Sequence, residues 1–403
     1  MPVTLISFEE AYKKVLSHGQ DYGTETVTLT HSTGRVLAEN IAADRDFPPF
    51  NRSTKDGIAI AFEAINSGRT EFNIQEIIAA GVPKSKLNNI NACVEIMTGA
   101  VLPDGADTVI MYEQVIIENG RATIAKTPAL GQNIHYKGGD EKKGALILHK
   151  NTAITAAEIG VLASVGKHEV LVKKVPKITL VSTGNELVEV NESPLPHQIR
   201  KSNIHTLSAS LATIGITPDK LHLKDDEQEI RKALQKALQE NDVLLLSGGV
   251  SKGKYDFIPS ALASLGVEKV FHRVLQRPGK PFWFGFQKEL GTVVFSFPGN
   301  PASTFANYHI YFKDWFNKTL GVPIPKIEVV LKTDIDAKGD LTRFLRANAQ
   351  LENGILMAEL ITGNGSGDLT SLVKSNGFIK LSPKNEVYKA GTLVPFVATR
   401  SIL

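Results

Sequence analysis

The sequence predicts a multidomain α/β protein, in which a parallel sheet covered by helices is flanked by smaller, mainly β units. Three observations carry this reading. Residues 177–320 alternate apolar strands with longer helical segments, the pattern of a parallel sheet buried on both faces. Residues 56–150, and again those after Pro325, are short β-branched runs broken by Gly, Asn and Pro. The chain has 403 residues, enough for several cores rather than one.

The elements follow in order. Ser7 with Glu10 reads as a capping box, and Phe8, Ala11, Tyr12 and Val15 supply the apolar face of a helix. The stretch 44–50, containing DFPPF, is extended. Strand-like runs then come at 58–61, 94–97, 108–112, 114–117 and 122–124. A helix-like segment at 156–166 leads to a strand at 169–172. Pro176 marks the change to the alternating region, with strands expected at 177–182, 242–247, 269–274 and 292–297. Helices are expected at about 202–214, 228–241, 256–265 and 303–320. Pro323 and Pro325 mark the next boundary.

Composition narrows the partners. Apolar residues make up 42% and charged residues 22%, with a net charge of +3 from 45 basic and 42 acidic residues. So balanced a chain points to neither a nucleic-acid nor a membrane partner, and any anion affinity must come from local sites. Cys93 is the one cysteine, which excludes an intramolecular disulfide and a Cys-rich zinc or iron–sulfur site. It reads as a small buried apolar residue in a reducing cytosol. Glu9 and Glu10 sit where a signal peptide would continue its apolar run, and no apolar stretch reaches the roughly 18 residues of a membrane span. A cytoplasmic location is expected.

In an open α/β sheet, ligands bind outside the carboxyl ends of the strands. Four loops there carry chemistry. Ser182-Thr183-Gly184-Asn185-Glu186 ends a strand in hydroxyls and a glycine, which suits close approach of a ligand; Glu186 is either a site carboxylate or a solvated turn residue. Ser247-Gly248-Gly249-Val250-Ser251 can aim several N–H groups at a phosphate, though it completes neither the P-loop nor the dinucleotide-binding motif. Asp256 follows it. Arg277-Pro278-Gly279-Lys280-Pro281 is a stiff basic turn, fit for an oxyanion or simply a surface turn. Pro298-Gly299-Asn300-Pro301-Ala302-Ser303 opens a helix whose N-terminus can receive an anion, unless Asn300 or Ser303 merely caps it. Asp56, Asp140, Asp225 and Asp226 are further acids beside glycines or strand ends. No HExxH spacing occurs.

Taken together, NRSTKDG, MTGAVLPDGADTVIMYE, the segment 133–140, STGNEL, RKSN, SGGVSKGKYD, RPGKP and FPGNPAS occur in an order that resembles the molybdopterin molybdenumtransferases, the MoeA and gephyrin E-domain family, from about residue 5 to about 397. That resemblance implies four domains: a discontinuous, elongated N-terminal domain from 1–45 and 141–175, a β domain inserted at 46–140, an α/β molybdopterin-binding domain at 176–324, and a C-terminal β-barrel-like domain at 325–403. It implies a homodimer whose active site lies between the α/β domain of one subunit and the inserted domain of the other. It implies insertion of molybdenum from molybdate into adenylyl-molybdopterin with release of AMP, and Mg²⁺ as cofactor. The pterin's own dithiolene would supply the sulfur ligands, which suits a chain with one cysteine.

By position, Asp56, Thr98, Asp140, Glu186, Asp256 and Lys280 match the family's catalytic set, and Asp56, Glu186, Asp225 and Asp256 its metal ligands. Ser182, Thr183, Gly184, Ser202, Asn203, Ser247, Gly248, Gly249, Val250, Ser251, Arg277, Pro278, Gly279, Pro298, Gly299, Asn300, Pro301, Ser303 and Ser366 match its substrate- and phosphate-binding positions. The chain departs from the family's frequent residues at Lys55, Gly139, Asn185, Lys201 and Arg277; Lys201 stands where an Asp is frequent. Molybdopterin adenylyltransferase is an implied transient partner. Rival readings are that adenylyltransferase itself (a single-domain enzyme on the same module), a gephyrin-like scaffold, a pterin-binding paralogue without turnover, and tungstate in place of molybdate.

Overall fold

The computed structural model describes residues 5–250, 257–384 and 386–402. By backbone proximity the chain forms two compact units, one of residues 28–33 and 39–170, the other of the remaining chain.

The first unit is built on a six-stranded sheet. Its strands are β1 (Gly57–Ile60), β2 (Glu71–Ile78), β3 (Ala92–Ile96), β4 (Thr108–Met111), β5 (Val115–Glu118) and β6 (Arg121–Ile124), in the order β4-β1-β3-β2-β6-β5. The sheet has an apolar layer on each side. Ala59, Val94, Ile96 and Val109 pack in one, and Ile58, Ile60, Phe72, Cys93 and Ile110 in the other. The longest strand, β2, is absent from the sequence-based expectation. Phe72 and Ile74 alternate with Asn73 and Gln75, but Glu76 breaks the alternation, and the pairing with β3 slips there, between Ile74 and Ile77. The helix Ala156–Ser164 starts on a full capping box, Thr155 with Glu158.

The second unit carries the α/β sheet: β7 (Ile178–Thr183), β8 (Asp219–Leu223), β9 (Val243–Ser247), β10 (Val267–His272), β11 (Trp283–Gln287) and β12 (Thr292–Phe297), in the order β8-β7-β9-β12-β11-β10. Strands β8, β7, β9 and β12 are mutually parallel, and β11 runs against both β12 and β10. All strands but β11 therefore share one direction and put their carboxyl ends on one edge. The four expected strands are thus joined by β8, which runs up to the acids Asp225 and Asp226, and by an unexpected one, β11, whose aromatic run follows the basic turn directly. Every residue of β7, β9 and β12 is buried, as a sheet covered on both faces requires. Each fully buried Val, Leu or Phe there contributes roughly 1.5–3 kcal/mol.

Helices Ser202–Ala212, Glu227–Glu240, Ile258–Ser264 and Pro301–Asn307 follow strands of this sheet. The last runs through a π-turn, Tyr308–Phe312, into Lys313–Leu320. The N-terminal helix Phe8–Ser17 starts on Ser7, whose hydroxyl accepts from the Glu10 N–H (3.1 Å); the Glu10 carboxylate pairs with Lys14 (3.7 Å) and does not close the expected box, and the helix packs Phe8, Ala11 and Val15 into the same core. Tyr12 donates to Asp314 (2.7 Å) and Trp315 to the His18 carbonyl (2.9 Å), locking that helix to Lys313–Leu320.

Five C-terminal strands, β13 (Ile327–Leu331), β14 (Thr342–Glu352), β15 (Ile355–Leu360), β16 (Gly377–Leu381) and β17 (Leu393–Ala398), run in the order β14-β15-β13-β17-β16, and β16 pairs back onto β14. This closes a barrel. Val329, Leu331, Ala347, Ile379, Leu381, Val394 and Phe396 fill it. No described helix is long and apolar enough to cross a membrane.

Candidate active site

A cleft of about 680 Å³ opens along the carboxyl edge of the α/β sheet, and three of the four sequence-selected loops meet in it. Strand β7 delivers Ser182 and Thr183, both buried, and then Gly184 at φ +125°. That backbone is open to glycine, and a Cβ there would lie 2.2 Å from a Glu186 carboxylate oxygen. Glu186 therefore folds back over the strand end. Across from it, Asn185 and Asp225 hold each other: the Asn185 carboxamide oxygen accepts from the Asp225 N–H (3.2 Å), and the Asp225 carboxylate from the Asn185 N–H (3.4 Å). Asp225 lines the cleft, whereas Asp226 caps the helix Glu227–Glu240 by accepting from the Glu229 N–H (2.8 Å). The structure thereby assigns different jobs to two acids adjacent in sequence.

Strand β9 ends in buried Ser247, followed by Gly248 and Gly249 at φ +100° and +71°. A Cβ on either would strike a neighbour, Thr183 Oγ1 at 2.8 Å or Ile258 Cγ1 at 2.5 Å, so the loop runs close over the cleft floor. Val250 is buried beneath it, while Ser251 and Asp256 lie outside the described residues. After β12, Pro298, Gly299 and Asn300 lead to Pro301 in the first helical turn. Neither Asn300 nor Ser303 caps that helix with its side chain: Asn300 donates to the Ser366 hydroxyl (2.9 Å), and Ser303 is buried. Ser202 and Asn203 open the helix Ser202–Ala212 at the cleft wall. Asn203 donates both to Ser247 Oγ (2.8 Å) and to the Gly299 carbonyl (2.7 Å), stitching three loops together.

The basic turn belongs to a second cavity, of about 590 Å³, bounded by Arg277, Pro278, Gly279 and Lys280 on one side and the closed barrel on the other. A buried polar clamp fixes the turn. Gln276 donates to the Pro278 carbonyl (3.0 Å) and to Asn307 (2.8 Å), and Tyr311 donates to Gln276. From the barrel come Arg343 and Arg346, and with Ser303 and Ser366 they complete a cationic lining in which the described residues include no Asp or Glu. Arg346 donates to the Gly365 carbonyl (3.0 Å), the Asp368 carbonyl (3.2 Å) and Ser371 (2.5 Å), bracing the loop that carries Ser366. Pro281, Pro298 and Asn300 line both cavities, so the two share a wall.

Asp56, Thr98 and Asp140 stand in the other compact unit. There the segment 51–56 is zipped between two of the motifs read from the sequence. Ser53 accepts from the Gly99 N–H (2.9 Å) and donates to the Ala100 carbonyl (3.0 Å) through its backbone, and Arg52–Ser53 pairs with Ile134–His135. Asp56 accepts from the Thr98 N–H at 2.6 Å, and this contact holds its carboxyl below the usual range. His135 lies between Arg52 and Asp140. Arg52 offers only donors, so His135 Nδ1 accepts from it (3.2 Å) and Nε2–H donates to Asp140 (2.9 Å).

Sequence reasoning missed Arg343, Arg346 and His222. The arginines sit in a barrel strand with nothing in the local pattern to mark them. His222 on edge strand β8 lies 3.0 Å through Nδ1 from Ser182 Oγ, a cross-strand pairing that only the register reveals.

A Gly-lined cleft at the carboxyl edge of a parallel sheet, adjoining a cationic cavity whose described lining holds no Asp or Glu, has the make-up of an α/β site for anionic ligands. Residues 6–166 match the MoeA N-terminal region (domain I and II), 179–318 the probable molybdopterin binding domain, and 328–398 the MoeA C-terminal region (domain IV). The chain is 38% identical to the molybdopterin molybdenumtransferase of Synechocystis sp. over 98% of this chain and 100% of that one, and 32% identical to that of Bacillus subtilis over 98% and 95%. The crystal structure of the molybdopterin biosynthesis MoeA protein of Pyrococcus horikoshii superposes with a TM-score of 0.82 at 31% identity, covering 98% of this chain and 100% of that one. The chain belongs to the MoeA family of molybdopterin molybdenumtransferases.

Proposed function

We propose that this chain is a molybdopterin molybdenumtransferase, acting on adenylyl-molybdopterin and molybdate to give the molybdenum cofactor and AMP. The observation that carries the reading is the shared wall between the cavities. The Gly-rich cleft suits a pterin with its phosphates, and the cationic cavity beside it, with Arg277, Lys280, Arg343 and Arg346, suits a doubly charged oxyanion. The two reactants then meet across Pro298 and Asn300.

Mg²⁺ fits as an ion that arrives with the phosphates. Glu186 and Asp225 offer carboxylates to the cleft, and no group of three or more His, Cys, Asp or Glu side chains among the described residues forms a ready metal cage. When bound by Glu186 and Asp225, it supplies charge neutralisation at the pyrophosphate. Asp256, and Asp56 from a second subunit, are its further proposed ligands. The functional assembly is a homodimer in which Asp56, Thr98 and Asp140 of one copy complete the cleft of the other. The four-domain division and a cytoplasmic location belong to the same reading, as does transient contact with molybdopterin adenylyltransferase.

The test is AMP release from adenylyl-molybdopterin with Mg²⁺ and molybdate, followed beside active-cofactor formation. Release that depends on molybdate and falls by about a hundredfold or more in Asp56→Asn and Glu186→Gln supports the reading. Tight pterin binding without AMP, under molybdate or tungstate, overturns it in favour of a pterin-binding scaffold or a paralogue without turnover.

A further inference from the structure

Lys201 stands out physically. Among the described residues it is the one Lys, Arg, Asp or Glu that is buried, at 8% exposure, and it lines the cleft. Burying an ammonium is costly unless a partner compensates. Its partner is Glu189, 2.5 Å from Nζ, but Glu189 itself is 54% exposed. The pair is therefore lopsided: the cation is fixed in the cleft wall, and the anion reaches in from solvent.

The backbone explains the fixity. Lys201 N–H donates to the Val188 carbonyl (3.0 Å), and Ile199 N–H to the Glu186 carbonyl (2.8 Å), so the start of the helix Ser202–Ala212 is tied to the strand end that carries Glu186. The Lys201 side chain caps nothing in that helix. Its charge is felt by the neighbouring groups. The Glu189 carboxyl is held below its usual range by Lys201, and the His222 imidazole is lowered by burial and then by the same ammonium. Among the described residues, the other cation on the cleft lining, Arg200, is exposed and donates to the Glu192 carbonyl (3.1 Å).

We propose that Lys201 is a substrate-binding residue for the phosphate end of the ligand in this cleft, and that Glu189 is a stand-in anion which the phosphate displaces. This rests on the reading that a phosphoanhydride substrate occupies the cleft. Glu186 and Asp225 face that ligand with negative charge, so a fixed cation in the wall offsets the repulsion without a second metal ion. The exchange has low cost because Glu189 returns to water while the ammonium stays paired.

The exchange predicts opposite signs for the two halves of the pair. Titration calorimetry with inorganic pyrophosphate, with molybdate in excess to fill the neighbouring cationic cavity, measures it. Lys201→Met is expected to weaken binding by about tenfold or more, Lys201→Arg to stay within about threefold of the parent, and Glu189→Gln to tighten binding by roughly threefold. Unchanged affinity in Lys201→Met, or unchanged or weaker affinity in Glu189→Gln, overturns the proposal, the latter marking the pair as a structural brace. Should Lys201→Met fail to fold by circular dichroism, the sign of the Glu189→Gln change decides alone. AMP release by the unmodified protein separates the two readings. Turnover with the wrong signs sinks the Lys201 inference only, and the right signs without turnover sink the transferase reading while leaving an anion site.

Discussion

Gly184 shows how one residue sets the site. Its φ of +125° is a conformation that only glycine holds easily, and the Glu186 carboxylate occupies the space of its missing side chain. Gly184→Ala should therefore cost about 1–2 kcal/mol in urea unfolding and, beyond that, displace Glu186, so that AMP release falls further than the lost stability accounts for. Gly299 is the control. Its nearest neighbour to a built Cβ is the Gly248 Cα at 3.7 Å, and its φ is not in the positive region, so Gly299→Ala should leave stability within about 0.5 kcal/mol. Equal destabilisation of the two variants would remove the argument from backbone conformation.

At the level of elements, the helical segment 301–320 departs from regularity where it matters for stability. The π-turn Tyr308–Phe312 widens the helix and places His309 inside, with Phe305 at 4.5 Å and Tyr308 at 5.1 Å by ring centroid, and with neither ring nitrogen hydrogen-bonded to protein. Burial, helped by the Lys313 charge, pushes its imidazole down to about 3. The unfolded chain takes up a proton near the ordinary histidine value, and the folded chain refuses it until about pH 3. Stability is thus full above the ordinary value and falls with pH through that window, by about 1.4 kcal/mol per unit. The carboxylates titrate there too, so the comparison is with His309→Leu, whose unfolding free energy should fall less steeply between pH 6 and 4, by about that slope. Parallel slopes would mean that His309 takes its proton in the folded state.

The same scale shows what could be read in advance. Strands β7, β9 and β12 were legible because full burial leaves near-continuous apolar runs, interrupted only by Thr or Ser, and their loops because Gly and Pro punctuate them. Strands β2 and β11 were not: in one the alternation is cut short at Glu76, and the other directly follows a turn motif. The first cavity's residues were largely visible because each directly follows a strand. Arg343 and Arg346 were invisible because a barrel residue reaches the second cavity only through tertiary closure, and the separation of Asp225 from Asp226 depends on which one begins a helix.

The whole molecule carries a net charge of only +3, too little to concentrate an oxyanion by its overall field. On the function proposed above, molybdate affinity comes from the Arg277, Lys280, Arg343 and Arg346 lining, and bond cleavage from the acids of the adjoining cleft. The two functions are therefore separable along one measured curve, AMP release against molybdate concentration. Arg277→Ala should raise the half-saturating molybdate by about tenfold and leave the plateau within about twofold, because lost Coulomb attraction is recovered by mass action. Asp225→Asn should lower the plateau at every molybdate concentration and shift the midpoint little. Added salt should move the parent's midpoint upward and that of Arg277→Ala less, since Arg277, like Lys280, is exposed and open to screening. If Arg277→Ala instead lowers the plateau at an unchanged midpoint, the basic turn acts on the phosphoanhydride and the oxyanion lies elsewhere; the assignment of the two cavities would then have to be reversed.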